Sequence, residues 1–222
     1  MKGASKGEGL GNQFLANIRE CDAIIHVLRC FDDSGIVHVD GSVDPVRDKE
    51  IIDMELQLKD LETLENRAKR VEKAARVGGD KAAKIEMDVI DTYRKVLLEG
   101  KSARTVSFET EDEQAAAKSL FLLTAKPVLY VCNVDDKSAS TGNEHTARVA
   151  EAIKDEEAEM LIISAQTEAD IAELETYEEK QMFLEDMGLS ESGCNRLIKA
   201  IYSLLTLQTF ITAGEMEVKA WT

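Results

Sequence analysis

The sequence is poor in several residue types, and each shortage excludes a class of protein. Aromatic residues make up only 5% of its 222 residues, so a core must be built mainly from aliphatic side chains. No apolar run approaches the roughly 18–20 residues that a membrane span needs, and no signal peptide follows Met1. Lys and Arg number 27 against 43 Asp and Glu, and this net charge of −16 argues against binding nucleic acid over a broad surface. Direct DNA binding is therefore not expected, although a local basic patch remains open.

Cysteine is also scarce, and its spacing indicates no metal centre. Cys21, Cys30, Cys132 and Cys194 stand far apart and lack the paired spacing of zinc sites. Cys30 and Cys132 lie in apolar, strand-like runs, where reduced thiols behave as small hydrophobic side chains. A reducing, cytoplasmic location and no metal ligands in this chain are the expectations.

Three short apolar runs separated by helical patterns predict an α/β fold. The runs at 23–28, 127–132 and 160–163 are typical of buried strands in a parallel sheet. Apolar residues at helical spacing predict further helices after Gly11 and at 115–123, 146–154, 177–187 and 193–205. Strands alternating with helices imply a doubly wound sheet. Residues 208–222 alternate like one further strand.

A long helical pattern interrupts this alternation. Asp44-Pro45 is a favourable helix start, with a carboxylate at the N-cap and proline in the first turn. Apolar residues then recur at spacings of three and four until Gly78-Gly79-Asp80 breaks the helix, and a second set follows. Two such stretches around a Gly-Gly turn predict an antiparallel helical hairpin.

Polar residues follow two of the predicted strands at the point where each strand ends. The second strand leads into Asn133-Val134-Asp135-Asp136, and the third leads into Ser164-Ala165-Gln166. Ligands of doubly wound sheets bind at the carboxyl ends of the strands. An Asn amide can bond the edge of a purine, an acid three residues later can accept from guanine, and a backbone N–H at the Ser-Ala turn can meet the base from the other side. The order and placement of these residues favour a purine-nucleotide site over the alternative of simple loop capping.

Runs at both ends of the chain point to one family. Lys2–Asn12 is glycine-rich, His26–Phe31 reads His-Val-Leu-Arg-Cys-Phe, and Gln208–Gly214 continues into Val218–Thr222. These runs resemble the second switch region, the following strand and the opening of the TGS domain of the YchF/Obg-like ATPase family. The resemblance covers essentially the whole chain. It implies a P-loop NTPase-type doubly wound sheet, N-terminally incomplete, with an inserted antiparallel α-helical coiled-coil hairpin.

The resemblance also implies boundaries for the parts of the chain. Residues 1–43 correspond to the switch II region and following strand of the nucleotide-binding domain, and 44–106 correspond to the hairpin insertion. Residues 107–206 correspond to the base-recognition half of the nucleotide-binding domain, and 207–222 to the start of the TGS domain.

Site residues carry over from the family position by position. Asn133 matches the base-contacting Asn, Val134 the next residue, whose backbone faces the base, and Ser164 with Ala165 the second base loop. The family usually has Asn-x-x-Glu, which is associated with its preference for ATP. Asp136 stands in place of that Glu and restores the final acid of ordinary GTPases without their Lys at the second position. ATP and GTP therefore both remain open, with ATP favoured.

His38 is the candidate catalytic residue. It lies in the loop Gly35–Gly41 and matches a family histidine that is thought to position the attacking water. Family members lack the catalytic Gln of many GTPases, so another group must orient this water. From the residues alone, a solvent-exposed loop histidine without a catalytic role is the alternative.

The sequence contains no Walker A run, Gly-x-x-x-x-Gly-Lys-Ser/Thr, which supplies phosphate and magnesium ligands. The resemblance places that loop upstream of this chain and most of the TGS domain downstream. The complete protein is then expected to be a cytoplasmic, ribosome- or stress-associated hydrolase of ATP or GTP with Mg²⁺, and the chain alone to be weak or inactive. The competing hypothesis is a non-catalytic interaction module that works through an acidic helical hairpin.

Overall fold

The computed structural model describes residues 11–38, 41–77, 79–156, 158–214 and 216–222. The described residues form both helices and strands, as expected for an α/β fold. In chain order they are α1 (Gly11–Glu20), β1 (Ile24–Arg29), α2 (Pro45–Val77), α3 (Lys81–Leu98), α4 (Glu111–Ser119), β2 (Val128–Asn133), α5 (Glu144–Ala152), β3 (Glu159–Ile163), α6 (Ala165–Glu173), α7 (Tyr177–Asp186), α8 (Gly193–Leu204), β4 (Phe210–Ala213) and β5 (Val218–Trp221). The predicted α/β class is confirmed.

The chain divides into two compact units. Unit 1 comprises Met1–Ile24 and Arg47–Lys126, and unit 2 comprises Ile25–Val46 and Pro127–Thr222. None of the helices in the described ranges is both long and apolar enough to cross a membrane.

Unit 2 contains a sheet with the strand order β1-β2-β3. Strand β2 pairs in parallel with β3, so that Asn133 lies opposite Ile163 where both strands end. Strand β2 is buried from Val128 to Cys132, which explains its continuous apolar sequence. The loops that follow β2 and β3 therefore leave the sheet at the same edge, as the site prediction requires.

In unit 2, a side chain of α6 caps the N-terminus of α8 and so holds the two helices together. The carboxylate of Glu168, in the first turn of α6, accepts from the backbone N–H groups of Gly193 at 2.6 Å and Cys194 at 3.0 Å. These N–H groups have no partner within α8 because they lie in its first turn. A Cβ atom at Gly193 would lie 2.8 Å from Ile163 Cγ2 and 2.9 Å from Glu168 Oε1, so only glycine fits between β3 and the carboxylate.

Unit 1 is built on α2 and α3, which share an apolar cluster. Leu64 and Ala68 of α2 lie in one cluster with Val89, Ile90 and Tyr93 of α3. The predicted helix start at Pro45 is confirmed, and α2 ends at Val77 before the predicted break. Helix α3 begins at Lys81, where the Asp80 side chain accepts from the N–H groups of the first turn.

The side chain of Asp60 anchors α2 to a segment more than sixty residues away. Its carboxylate is fully buried, and it accepts from Leu123 N at 2.8 Å, Thr124 N at 2.7 Å and Thr124 Oγ1 at 2.7 Å. Burial raises the pKa of Asp60, while these hydrogen bonds and the charge of Arg19 oppose the rise. Both carboxylate oxygens are thus committed to the fold.

Two predicted elements differ from the structure, and one helix was not predicted. The helix expected at 115–123 is α4, Glu111–Ser119, because Leu122, Leu123 and Thr124 are buried as a non-helical segment against Asp60. Thr110 and Glu113 form a capping box in front of α4, and the sequence alone predicts it because a Thr is followed three residues later by a Glu. Residues 208–222 form two antiparallel strands, β4 and β5, rather than one. Helix α6 was not predicted, because its apolar residues are too few to give a clear period.

Candidate functional site

Asn133 ends strand β2 and connects the two predicted loops. Its side-chain Oδ1 accepts from the backbone N–H of Ala165 at 3.0 Å. The amide oxygen is thereby fixed, which points the Nδ2 group away as a hydrogen-bond donor. The Ala165 N–H, which was expected to meet a base, is bonded to Asn133 in this structure.

Asp136 makes the second connection between the loops. Its Oδ1 accepts from the hydroxyl groups of Ser164 at 2.6 Å and Thr167 at 2.8 Å. These hydrogen bonds to the charged form lower the pKa of Asp136. Both hydroxyls donate to the same oxygen, Oδ1, and the second oxygen, Oδ2, lies on the other side of the carboxylate.

The hydroxyl of Thr167 is a site group that the sequence prediction did not include. Ser164 is the N-cap of α6, and its Oγ accepts from Thr167 N at 3.2 Å. Thr167 is the third residue of that helix and is 1% exposed. The sequence could have indicated Thr167, because a Ser at a helix N-cap is followed three residues later by this Thr. The third residue of a helix lies next to the N-cap side chain.

Val134 has a more limited role than its neighbours. Its side chain is 3% exposed and belongs to the core. Its backbone N–H donates to Ile163 O at 2.9 Å. Of its backbone groups, the carbonyl oxygen is the one that could face a base.

His38 lies in a different part of unit 2 from the two base loops. It lines a pocket with residues of the segment after β1, including Asp32, Asp33, Ser34 and Ser42. The guanidinium of Arg29 organises this segment. It donates to three carbonyl oxygens of the loop, those of Phe31 at 3.2 Å, Asp33 at 3.2 Å and Ile36 at 3.0 Å. The loop that carries His38 is thus tied to the end of β1.

Helix α5 is joined to the same segment through its first turn. The Asn143 side chain donates from Nδ2 to Cys30 O at 2.7 Å, and His145 Nε2 lies 3.2 Å from Asp32 Oδ2. The ends of β1 and β2 are also connected, because Cys30 N donates to Asn133 O at 2.7 Å. The base loops and the His38 segment therefore leave adjoining strands of one sheet.

Comparisons with known proteins agree over the full length of the chain. The chain is 52% identical over 224 residues to the ribosome-binding ATPase YchF of Bacillus subtilis (strain 168), an alignment that covers 100% of the chain and 60% of the relative. The chain belongs to the YchF/Obg-like ATPase family. It matches no protein-family model.

Two further members support this assignment. Obg-like ATPase 1 of Caenorhabditis elegans is 38% identical over 224 residues, which cover 100% of the chain and 56% of that relative. The structure of the Schizosaccharomyces pombe YchF GTPase superimposes with a TM-score of 0.84 at 33% identity and covers 100% of the chain and 60% of the neighbour. The chain thus spans about 60% of the length of the YchF proteins that it matches.

Magnesium is the metal that hydrolases of nucleoside triphosphates use. Within the described ranges, no three His, Cys, Asp or Glu side chains come together in a group that could hold a metal ion. In the described part of this YchF-family chain, the candidate base-binding residues Asn133, Asp136, Ser164 and Ala165 are brought together by hydrogen bonds.

Proposed function

We propose that this chain supplies the base-recognition part of a hydrolase that acts on purine nucleoside triphosphates. The observation that carries the proposal is the pair of connections between the loops after β2 and β3, from Asn133 to Ala165 and from Asp136 to Ser164 and Thr167. Side chains held in this way are ordered before a ligand arrives, which lowers the entropy cost of binding. Asn133 Nδ2 is the donor for a purine ring nitrogen.

The second base-reading group is the free side of the Asp136 carboxylate. Oδ2 can accept from the ring N–H and amino group of guanine, whereas adenine offers its amino group to an acceptor such as the Val134 carbonyl oxygen. Both purines therefore find partners, and we place ATP first with GTP bound less tightly. GTP affinity at least tenfold above that for ATP, measured on the protein from the complete gene, would reverse this order.

The proposal extends to the whole protein of which these loops are part. The B. subtilis relative is named a ribosome-binding ATPase and the S. pombe neighbour a GTPase. By analogy, the protein would cleave the β–γ phosphoanhydride with Mg²⁺ in the cytoplasm and associate with ribosomes. In this assignment, 44–106 form a coiled-coil hairpin inserted into a nucleotide-binding domain, and 207–222 begin a TGS domain.

His38 is assigned to positioning the attacking water. Its support is the Arg29-bound loop, which holds the segment that carries His38 at the same sheet as the base loops. In the protein from the complete gene, His38→Ala should lower turnover and leave ATP affinity unchanged. Normal turnover in this variant would exclude the role.

The base site is tested by calorimetric titration of the 222-residue chain with ATP, GTP and CTP. Weak binding of both purine nucleotides and none of CTP is expected. Asn133→Ala should weaken purine binding about tenfold, which corresponds to about 1.4 kcal/mol. Asn17→Ala, on the exposed face of α1, is the matched control. Equal affinities for ATP and CTP, or an Asn133→Ala chain that binds like the parent, would contradict the proposal.

A further inference from the structure

The segment that carries His38 has few apolar contacts to hold it in place. This segment, named here the His38 segment, comprises residues 31–38 and 41–44, which lie between β1 and α2 and form no helix or strand. Ile36 is 50% exposed and Val37 is 91% exposed, so these two side chains add little to a core. Burial of apolar side chains is the main force that fixes a chain against its neighbours. The position of His38 therefore depends largely on polar contacts with other elements.

Helix α5 is firmly held beside the start of this segment. Its N-cap residue, Asn143, accepts from Thr146 N at 3.1 Å, and Asn143 N donates to Thr146 Oγ1 at 2.9 Å. Val149 is fully buried and fixes the helix on its apolar side. Asn143 Nδ2 also donates to Cys30 O at 2.7 Å. The first turn of α5 is thus fixed next to the residue from which the His38 segment continues.

Two polar contacts join α5 to the two ends of the His38 segment. Near the start of the segment, His145 Nε2 lies 3.2 Å from Asp32 Oδ2. At its end, Arg148 Nη2 donates to Asp44 Oδ1 at 3.1 Å and to Asp44 Oδ2 at 3.0 Å. His145 and Arg148 are three residues apart, which places them on one face of α5. One face of a single helix therefore contacts the segment both before and after His38 in the sequence.

The surroundings of these two side chains indicate a local role rather than a role in global stability. The second ring nitrogen of His145, Nδ1, is buried and has no hydrogen-bond partner among the described residues. A buried nitrogen without a partner lowers stability, so packing alone does not favour a histidine at this position. Both contacts also lie at the surface, where the side chain of Asp32 is 80% exposed. Since exposed pairs add little to the stability of the whole fold, their effect is to place the segment.

We propose that His145 and Arg148 are positioning residues for the hydrolysis reaction. They hold the His38 segment against α5, so that His38 keeps the position from which it orients the attacking water. This inference rests on the role of His38 proposed above. A displacement of about 1 Å can lower turnover about a hundredfold, so weak contacts can control a rate without controlling stability. Neither contact involves the base loops, and nucleotide affinity is therefore expected to be independent of them.

The first test measures turnover and ATP affinity on the protein from the complete gene. His145→Ala and Arg148→Ala together should lower kcat about tenfold and leave the Kd for ATP within about twofold of the parent value. The same pair of substitutions added to His38→Ala should cause no further loss, because both act through His38. Arg148→Lys keeps the charge and should retain about half of the parent turnover or more. A further loss in the His38→Ala background, or a loss of ATP affinity equal to the fall in kcat, would overturn the inference.

The second test measures amide hydrogen exchange on the 222-residue chain and needs no turnover. Peptides from residues 31–38 should exchange about fivefold faster in the double variant, while peptides from the base loops should be unchanged. Arg94→Ala removes a surface ion pair with Asp91 in α3 and should alter neither exchange nor turnover. Unaltered exchange of 31–38 in the double variant would overturn the inference about α5. Faster exchange together with normal turnover of His38→Ala would refute the catalytic role of His38 and leave the α5 contacts supported.

Discussion

Two aspartates organise the two units, and they do so with opposite consequences. Asp60 in unit 1 is fully buried, and its two oxygens receive two backbone N–H groups and a hydroxyl. Asp136 in unit 2 receives two hydroxyls, both on Oδ1. Burial raises the pKa of Asp60, whereas hydrogen bonds lower the pKa of Asp136. The fold uses both oxygens of the Asp60 carboxylate, whereas the two hydroxyls on Asp136 both donate to one oxygen.

This difference separates a structural carboxylate from a candidate binding carboxylate. Both are hydrogen-bonded acids: Asp60 lies within α2, and Asp136 follows strand β2. What distinguishes them is how many of their acceptor positions the protein itself uses. An acid with one ordered and one unused oxygen is pre-positioned for a ligand, while an acid with both oxygens in use is not.

The largest effect is expected at Asp60. Asp60→Ala leaves two buried N–H groups and a hydroxyl without their acceptor and should lower the free energy of unfolding by about 3–5 kcal/mol. Urea unfolding followed by circular dichroism measures this change. Asp91→Ala removes an exposed acid of α3 and should cost less than about 0.5 kcal/mol. Similar stabilities for the two variants would show that Asp60 does not anchor unit 1.

A smaller effect is expected at Thr167. Thr167→Val keeps the side-chain volume but removes one of the two hydroxyls on Asp136, so stability should fall by about 1 kcal/mol. Purine affinity should fall about threefold, because Ser164 still holds the carboxylate. Thr92→Val on the exposed side of α3 is the control for loss of a hydroxyl. A Thr167→Val chain with unaltered purine affinity would remove Thr167 from the site.

The smallest effect concerns pH and has a definite sign. The pKa of Asp60 is raised in the folded state, so its contribution to stability is complete below the unfolded pKa of about 3.9 and is lost as pH rises through the folded pKa. The Asp60→Asn variant has no titratable side chain at position 60. The stability of the parent relative to Asp60→Asn should therefore increase as pH is lowered from 7 towards the unfolded pKa of about 3.9. A relative decrease, measured by urea unfolding at each pH, would contradict this assignment.

Local patterns predicted much of this structure because their causes are local. The Pro45 helix start and the capping box of Thr110 and Glu113 depend on residues within one turn of each other. The placement of Asn133 and Ser164 at adjoining strand ends followed from the parallel order of buried strands.

Long-range partners could not be predicted in the same way. Nothing near Asp60 in sequence indicates that it binds Thr124, and this contact is the reason that α4 stops before the predicted end. Thr167 was missed because α6 has a weak apolar period, although its relation to the Ser164 cap was visible. The site roles of Asn133, Val134, Asp136, Ser164, Ala165 and His38 remain predictions, as do the domain boundaries.

The glycine at the start of α8 restricts how this part of the molecule can evolve. A methyl group at Gly193 would meet Ile163 on one side and the Glu168 carboxylate on the other, both within 3 Å. A chain with any other residue there must give up either the cap from α6 or the contact with β3. Ser164 lies in the loop that joins β3 to α6. A substitution at Gly193 would therefore also disturb the loop that carries Ser164, although Gly193 is not itself a candidate site residue.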